Sequence, residues 1–73
     1  MKTTITFSLQ VAMNAYDALT DDRLLEEKLI NEFPNVWIID QNDENEHEVL
    51  ISTVLDILSH FGIYEDEFTI VSE

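Results

Sequence analysis

The chain has 73 residues, 45% of them hydrophobic, and its 16 Asp and Glu against three Lys and Arg give a net charge of −13. A chain this short buries only about 60% of its unfolded surface, which is enough for one core and no more. The apolar content excludes a disordered acidic tail. The charge excludes direct binding to nucleic acid or anionic membranes, and the lack of cysteine excludes disulfides, thiolate metal sites and cysteine nucleophiles.

The opening run MKTTITFSLQ alternates polar and apolar residues and has no continuous apolar stretch. It therefore reads as neither a signal peptide nor a membrane span, and the expected location is the cytoplasm. From Thr3 to Val11 the residues Ile5, Phe7, Leu9 and Val11 share one side, the period of a half-buried strand. Good helix formers follow from Ala12 to Phe33. Thr20 with Asp21 and Asp22 behind it has the form of an N-cap with acids in the first turn.

On one continuous helical wheel, however, Asp22 and Glu26 fall inside the arc of Leu19, Leu25, Leu29 and Phe33, so a break near Thr20 is expected. The sequence predicts a short first turn and then a main helix from Thr20 to Phe33, ended by Pro34. NVWIID reads as a central strand. Asn45 with Glu48 three residues on approximates a capping box. It opens a helix running to about Phe61, whose Leu50, Ile51, Val54, Leu55, Ile57, Leu58 and Phe61 share one face. Gly62 sits at the C′ position, and FTIV makes a closing strand.

The predicted order is β-α-β-α-β in a small α/β or α+β domain covering residues 1–73, a three-stranded sheet with two helices on one face. The opposite face would then expose Val36 with Ile38 or Trp37 with Ile39, unless Ala12–Leu19 folds over it. Exposed apolar area of that kind implies a homodimer or partner contact through the open sheet face.

The stretch DQNDENEHEV holds five carboxylates in ten residues but is no calcium loop: it has no glycine at the sixth position and ends on Ile51 at the twelfth. His47 and His60 diverge by about 140° on one helix, cannot share a metal and read as solvated. Ser59 beside His60 is adjacency without triad geometry, and one glycine builds no phosphate-cradling loop. No enzyme activity, cofactor or metal is expected. The Asp-Ser-Leu tripeptide of acyl carrier proteins is absent.

What remains is the placement of charge. Asp21, Asp22, Glu26, Glu27, Asp40, Asp43, Glu44, Glu46 and Glu48 fall within 28 consecutive residues that hold only Arg23 and Lys28 as bases. Acids one helical turn apart, such as Asp22 with Glu26 or Glu44 with Glu48, lie about 5 to 6 Å apart at Cβ, comparable to phosphates along a DNA strand.

The expectation is a nucleic-acid mimic or similar acidic inhibitor that blocks the basic DNA- or RNA-binding surface of another protein through these nine residues. It is of the type that phages and mobile elements use against restriction, CRISPR or repair proteins. An acidic surface that only keeps the chain soluble is the plainer alternative.

INEFPNVWII with the helix after it and the ending EDEFTIVSE resembles the DNA-damage-inducible regulators of RecA, small α/β proteins with an acidic helix, although that family ends in helix. A helix followed by DEFTIVSE resembles the last helix and closing strand of barstar-like ribonuclease inhibitors. That second resemblance implies an antitoxin or immunity protein acting on a basic nuclease, which co-expression with a toxin would identify. A third reading is an interaction domain that dimerises through its sheet with no inhibitory role; a monomer by light scattering at micromolar concentration would count against it.

Overall fold

The computed structural model describes residues Met1–Glu73 as a mixed α+β fold. The elements in order are β1 (Lys2–Phe7), α1 (Ala12–Thr20), α2 (Arg23–Glu26), β2 (Ile30–Glu32), β3 (Val36–Asp40), α3 (Glu44–His60), a 3-10 turn at Glu65–Glu67 and β4 (Phe68–Ser72). The four strands form one sheet in the order β2-β3-β1-β4, and every neighbouring pair is antiparallel. The expected three-stranded β-α-β-α-β order is corrected on two counts: a fourth strand is present, and the two helical crossovers, β1 to β2 through α1 and α2 and β3 to β4 through α3, each join parallel strands that are separated by another strand, so no hydrogen-bonded pair is parallel.

The expected helix from Thr20 to Phe33 does not form. Thr20 is the last residue of α1 rather than an N-cap, and its hydroxyl donates back to the Tyr16 carbonyl at 2.7 Å. Asp22 caps the short α2 instead, accepting from the backbone N–H of Leu24 at 2.9 Å and of Leu25 at 3.4 Å. The physical reason is the wheel conflict: with the chain broken at Asp21–Asp22, Leu19, Leu25 and Leu29 are buried while Asp22 stays exposed and Glu26 half-buried. The residues after Leu29 then pair as β2, Ile30 opposite Ile38 and Glu32 opposite Val36. Pro34 lies in the turn joining β2 to β3.

Strand β1 is shorter than its alternation predicted. Thr3, Ile5 and Phe7 point inward, whereas Leu9 lies in a turn and is 72% exposed. Opposite them Trp37 and Ile39 point to the same side, because Ile5 pairs with Trp37 and Thr3 with Ile39. This face carries the core, a cluster of 14 buried residues that takes in Ala15, Ala18 and Leu19 of α1 and Leu50, Val54 and Leu58 of α3. Alanines at 15 and 18 let the α1 backbone approach closely, and the Tyr16 ring tilts over Trp37 at 6.1 Å between centroids.

Ala12–Leu19 therefore packs beside α3 and does not cover the second face of the sheet. No helix covers that face, on which Ile30 and Val71 are exposed, Val36 is half-buried and Ile38 is buried. No helix is long and apolar enough to cross a membrane.

Helix α3 begins at Glu44, and its N-cap is Asp43 rather than the expected Asn45. Its end is a Schellman motif: Gly62 at φ +78° sits at C′, its N–H donates to Ser59 at 3.1 Å, and the Ile63 N–H donates to Leu58 at 2.9 Å. Ile63 and Leu58 are both buried, which supplies the apolar contact that accompanies this turn.

A Cβ at position 62 would meet nothing within 4 Å, so Gly62→Ala tests the backbone alone. The substitution is expected to cost roughly 1 kcal/mol for the left-handed conformation. That lowers the midpoint of a thermal melt by about 4 to 8 °C in a domain of this size.

Candidate functional site

The sheet has two ends, and the topology sorts the acids between them. At one end β1 begins with Lys2 opposite Asp40, the last residue of β3, and β4 finishes where the Glu73 N–H donates to the Lys2 carbonyl at 2.9 Å. Only three residues separate Asp40 from Glu44, so α3 starts at this end. The chain leaves β1 at the opposite end, and β2 resumes at Ile30 opposite Ile38, two residues from Asp40. Helices α1 and α2 must carry it back in between. Asp21, Asp22, Glu26 and Glu27 thus come to the same end as Asp40, Asp43, Glu44, Glu46 and Glu48. The nine residues singled out from sequence converge there, and the fold adds Glu73 to them.

The three bases of the chain, Lys2, Arg23 and Lys28, lie at the same end, but none of them pairs with an acid. Of the 16 acids, 14 are exposed and two, Glu26 and Glu67, are half-buried. No Lys or Arg side chain lies within 4 Å of any carboxylate; the one such contact is His60 Nδ1 with Asp56 at 3.8 Å, along α3 and away from the cluster. Lys2 and Asp40 are cross-strand neighbours without forming an ion pair.

Two of the nine acids have a structural task. Asp43 accepts from the N–H groups of Asn45 at 2.8 Å and Glu46 at 3.2 Å, as Asp22 does in α2. Its carboxylate is engaged with the helix start, and Glu44 and Glu46 in the first turn face the positive end of the same helix dipole. Asp22 and Glu26 stand one turn apart as expected, the Glu26 N–H donating to the Asp22 carbonyl at 2.9 Å, but the Asp22 carboxylate is engaged in the cap and Glu26 is half-buried. The row Glu44–Glu48 stands, since α3 starts early enough to contain both and both are exposed.

Neither hollow of the surface lies at the acidic end. The two concavities of the surface, about 490 and 290 Å³, lie at the other end, the first between α3 and the 3-10 turn beside Ile63 and Tyr64, the second where β1 ends and β4 begins. Asp66 borders both. Three or more His, Asp or Glu side chains do not come together anywhere in a geometry for a metal ion.

His47 corrects the sequence reading. It is 4% exposed, not solvated, with Nε2 2.7 Å from Thr3 Oγ1, which in turn lies 3.0 Å from Ser72 Oγ. This chain of hydrogen bonds ties the first turn of α3 to β1 and β4. Its signal was present in the spacing, because 47, 50, 54 and 58 form the buried stripe of α3. His60 is exposed as expected, and its ring Nδ1 lies 2.8 Å from the Asp56 carbonyl oxygen. Trp37 Nε1 and His47 Nδ1 are buried without a hydrogen-bond partner in the protein.

No family model, curated protein or solved structure matches this chain.

The cap separates structural from electrostatic use of these acids. Asp43→Ala should destabilise by about 1 kcal/mol, and Asp43→Asn by only a few tenths, because asparagine caps about as well as aspartate. Both remove the same charge, so equal losses in thermal melts of the two variants would show that the cap contributes nothing.

Proposed function

We propose that this chain is an acidic binding protein whose acidic end occupies the basic DNA- or RNA-binding surface of another protein, as a nucleic-acid mimic. The observation that supports this reading is the convergence at one end of nine acids from separate parts of the chain, without a Lys or Arg counter-ion on any of them.

Placing like charges together is unfavourable by a few tenths of a kcal/mol for each pair one helical turn apart. A surface serving solubility alone would be cheaper with its charges dispersed and interleaved with bases. The two hollows of this chain lie at the far end, so neither interrupts the acidic surface. An array of exposed carboxylates raises the association rate with a cationic cleft and makes binding sensitive to salt.

The test uses Asp21→Asn, Glu27→Gln, Asp40→Asn and Glu48→Gln in one chain, since the side chain of none of these four makes a capping hydrogen bond; Asp21 and Glu27 end α1 and α2 through their backbone alone. Wild type, immobilised and exposed to a cell lysate at low salt, should retain nucleic-acid-binding proteins that 0.5 M salt releases and that duplex DNA or RNA displaces. The fourfold variant should bind them at least about tenfold more weakly, the equivalent of about 1.4 kcal/mol. It should also melt at higher temperature in low salt, with the gap closing as salt screens the repulsion. Recovery of non-basic partners, or salt-indifferent binding, would overturn the reading.

A further inference from the structure

The two edges of the sheet are built differently. β2 has three residues, carries exposed Glu32 and runs into Phe33–Pro34, so its edge is short, charged and closed by a residue with no N–H. β4 has five residues, FTIVS, without proline, lysine or a bulge. Ile70 and Val71 on it are 39% and 61% exposed.

The register says which backbone groups are free. Glu73 N–H donates to Lys2 and Ser8 N–H to Glu67, both at 2.9 Å, so the hydrogen-bonded pairs with β1 fall at 67, 69, 71 and 73. Phe68, Ile70 and Ser72 therefore turn their N–H and C=O groups away from β1, and no strand lies beyond β4 to receive them.

We infer that the free edge of β4 is a docking site for an extended, basic segment of the partner protein, added antiparallel as a fifth strand. This rests on the acidic-inhibitor reading and adds a second contact to it. Charge selects the occupant. The strand is bracketed by Glu65, Asp66 and Glu67 before it and Glu73 after it. A second copy paired antiparallel about Ile70 would set Glu67 of each chain against Glu73 of the other, like charges directly opposite, which is destabilising. A segment with Lys or Arg at both ends of a seven-residue stretch meets those carboxylates with opposite charge, while its backbone completes the ladder of Phe68, Ile70 and Ser72. The bracketing acids thus reject self-pairing and admit a basic strand.

The probe is a seven-residue peptide of alternating threonine and valine with lysine at each end, followed by amide hydrogen exchange and NMR shifts on the full chain. Binding should protect the amides of Phe68, Ile70 and Ser72, which are unprotected in the free protein. A chemically synthesised chain with Ile70 N-methylated keeps every side chain and every β1–β4 hydrogen bond, and should bind the peptide about tenfold more weakly, as the loss of one ladder bond requires.

Shifts confined to α2 and the start of α3, unchanged by N-methylation, would overturn the edge site while leaving the acidic end as the binding surface. Equal binding of a peptide with glutamine in place of lysine, or a dimer paired through β4, would overturn the basic occupant. Since the glutamine comparison is made on unmodified protein, the result does not depend on the N-methylated chain folding well.

Discussion

An excess of carboxylates without basic partners works against compactness, and the fold has to outweigh it with a core drawn from only 73 residues. For a domain of this length net stability is roughly 4 to 11 kcal/mol, so each buried contact and each cap is a sizeable share. The interaction that carries the most is the seating of β1 between β3 and β4. Thr3, Ile5 and Phe7 alternate inward from it, and helices α1 and α3, side by side on that face, rest on the side chains they meet there. His47 reaches Thr3 from α3, which ties the start of the acidic helix to the central strand.

The same end of the molecule shows how so much negative charge is tolerated. Asp22 and Asp43 are held by backbone N–H groups, and Glu44 and Glu46 stand where the helix dipole favours anions. Local capping thus offsets part of the mutual repulsion, and it also anchors the loops that bring the two acidic segments to one end. The remaining acids, among them Asp21, Glu27, Asp40 and Glu48, have no such local compensation.

The surface is divided accordingly. One end holds the nine acids and Glu73 together with the chain's three bases. The other holds the two hollows together with the exposed Leu9, Phe33, Phe61 and Tyr64, which lie in the turns that close that end. β4 runs between the two ends along a free edge.

Local patterns were legible wherever one residue or one short period decides the structure. The alternation in β1, the apolar run of β3, the amphipathic α3 and Gly62 at its end follow from side-chain spacing and from glycine's access to positive φ. So does the crowding of nine acids within one stretch of chain. The sequence by itself determined the composition of each element and the sign of the surface.

Tertiary structure decided the rest, because it turns on pairing between distant residues. Ile30–Glu32 is a strand only because β3 offers it an edge, and propensity alone continued the helix through it. Trp37 and Ile39, rather than Val36 and Ile38, face the core because of register with β1, and a shift of one residue would have reversed them. His47 is buried because Thr3, 44 positions away, receives it. The convergence of the acids at one end required α1 and α2 to turn back along the sheet. No local pattern specifies that return, since it is the burial of Leu19, Leu25 and Leu29 against the common core that stabilises it.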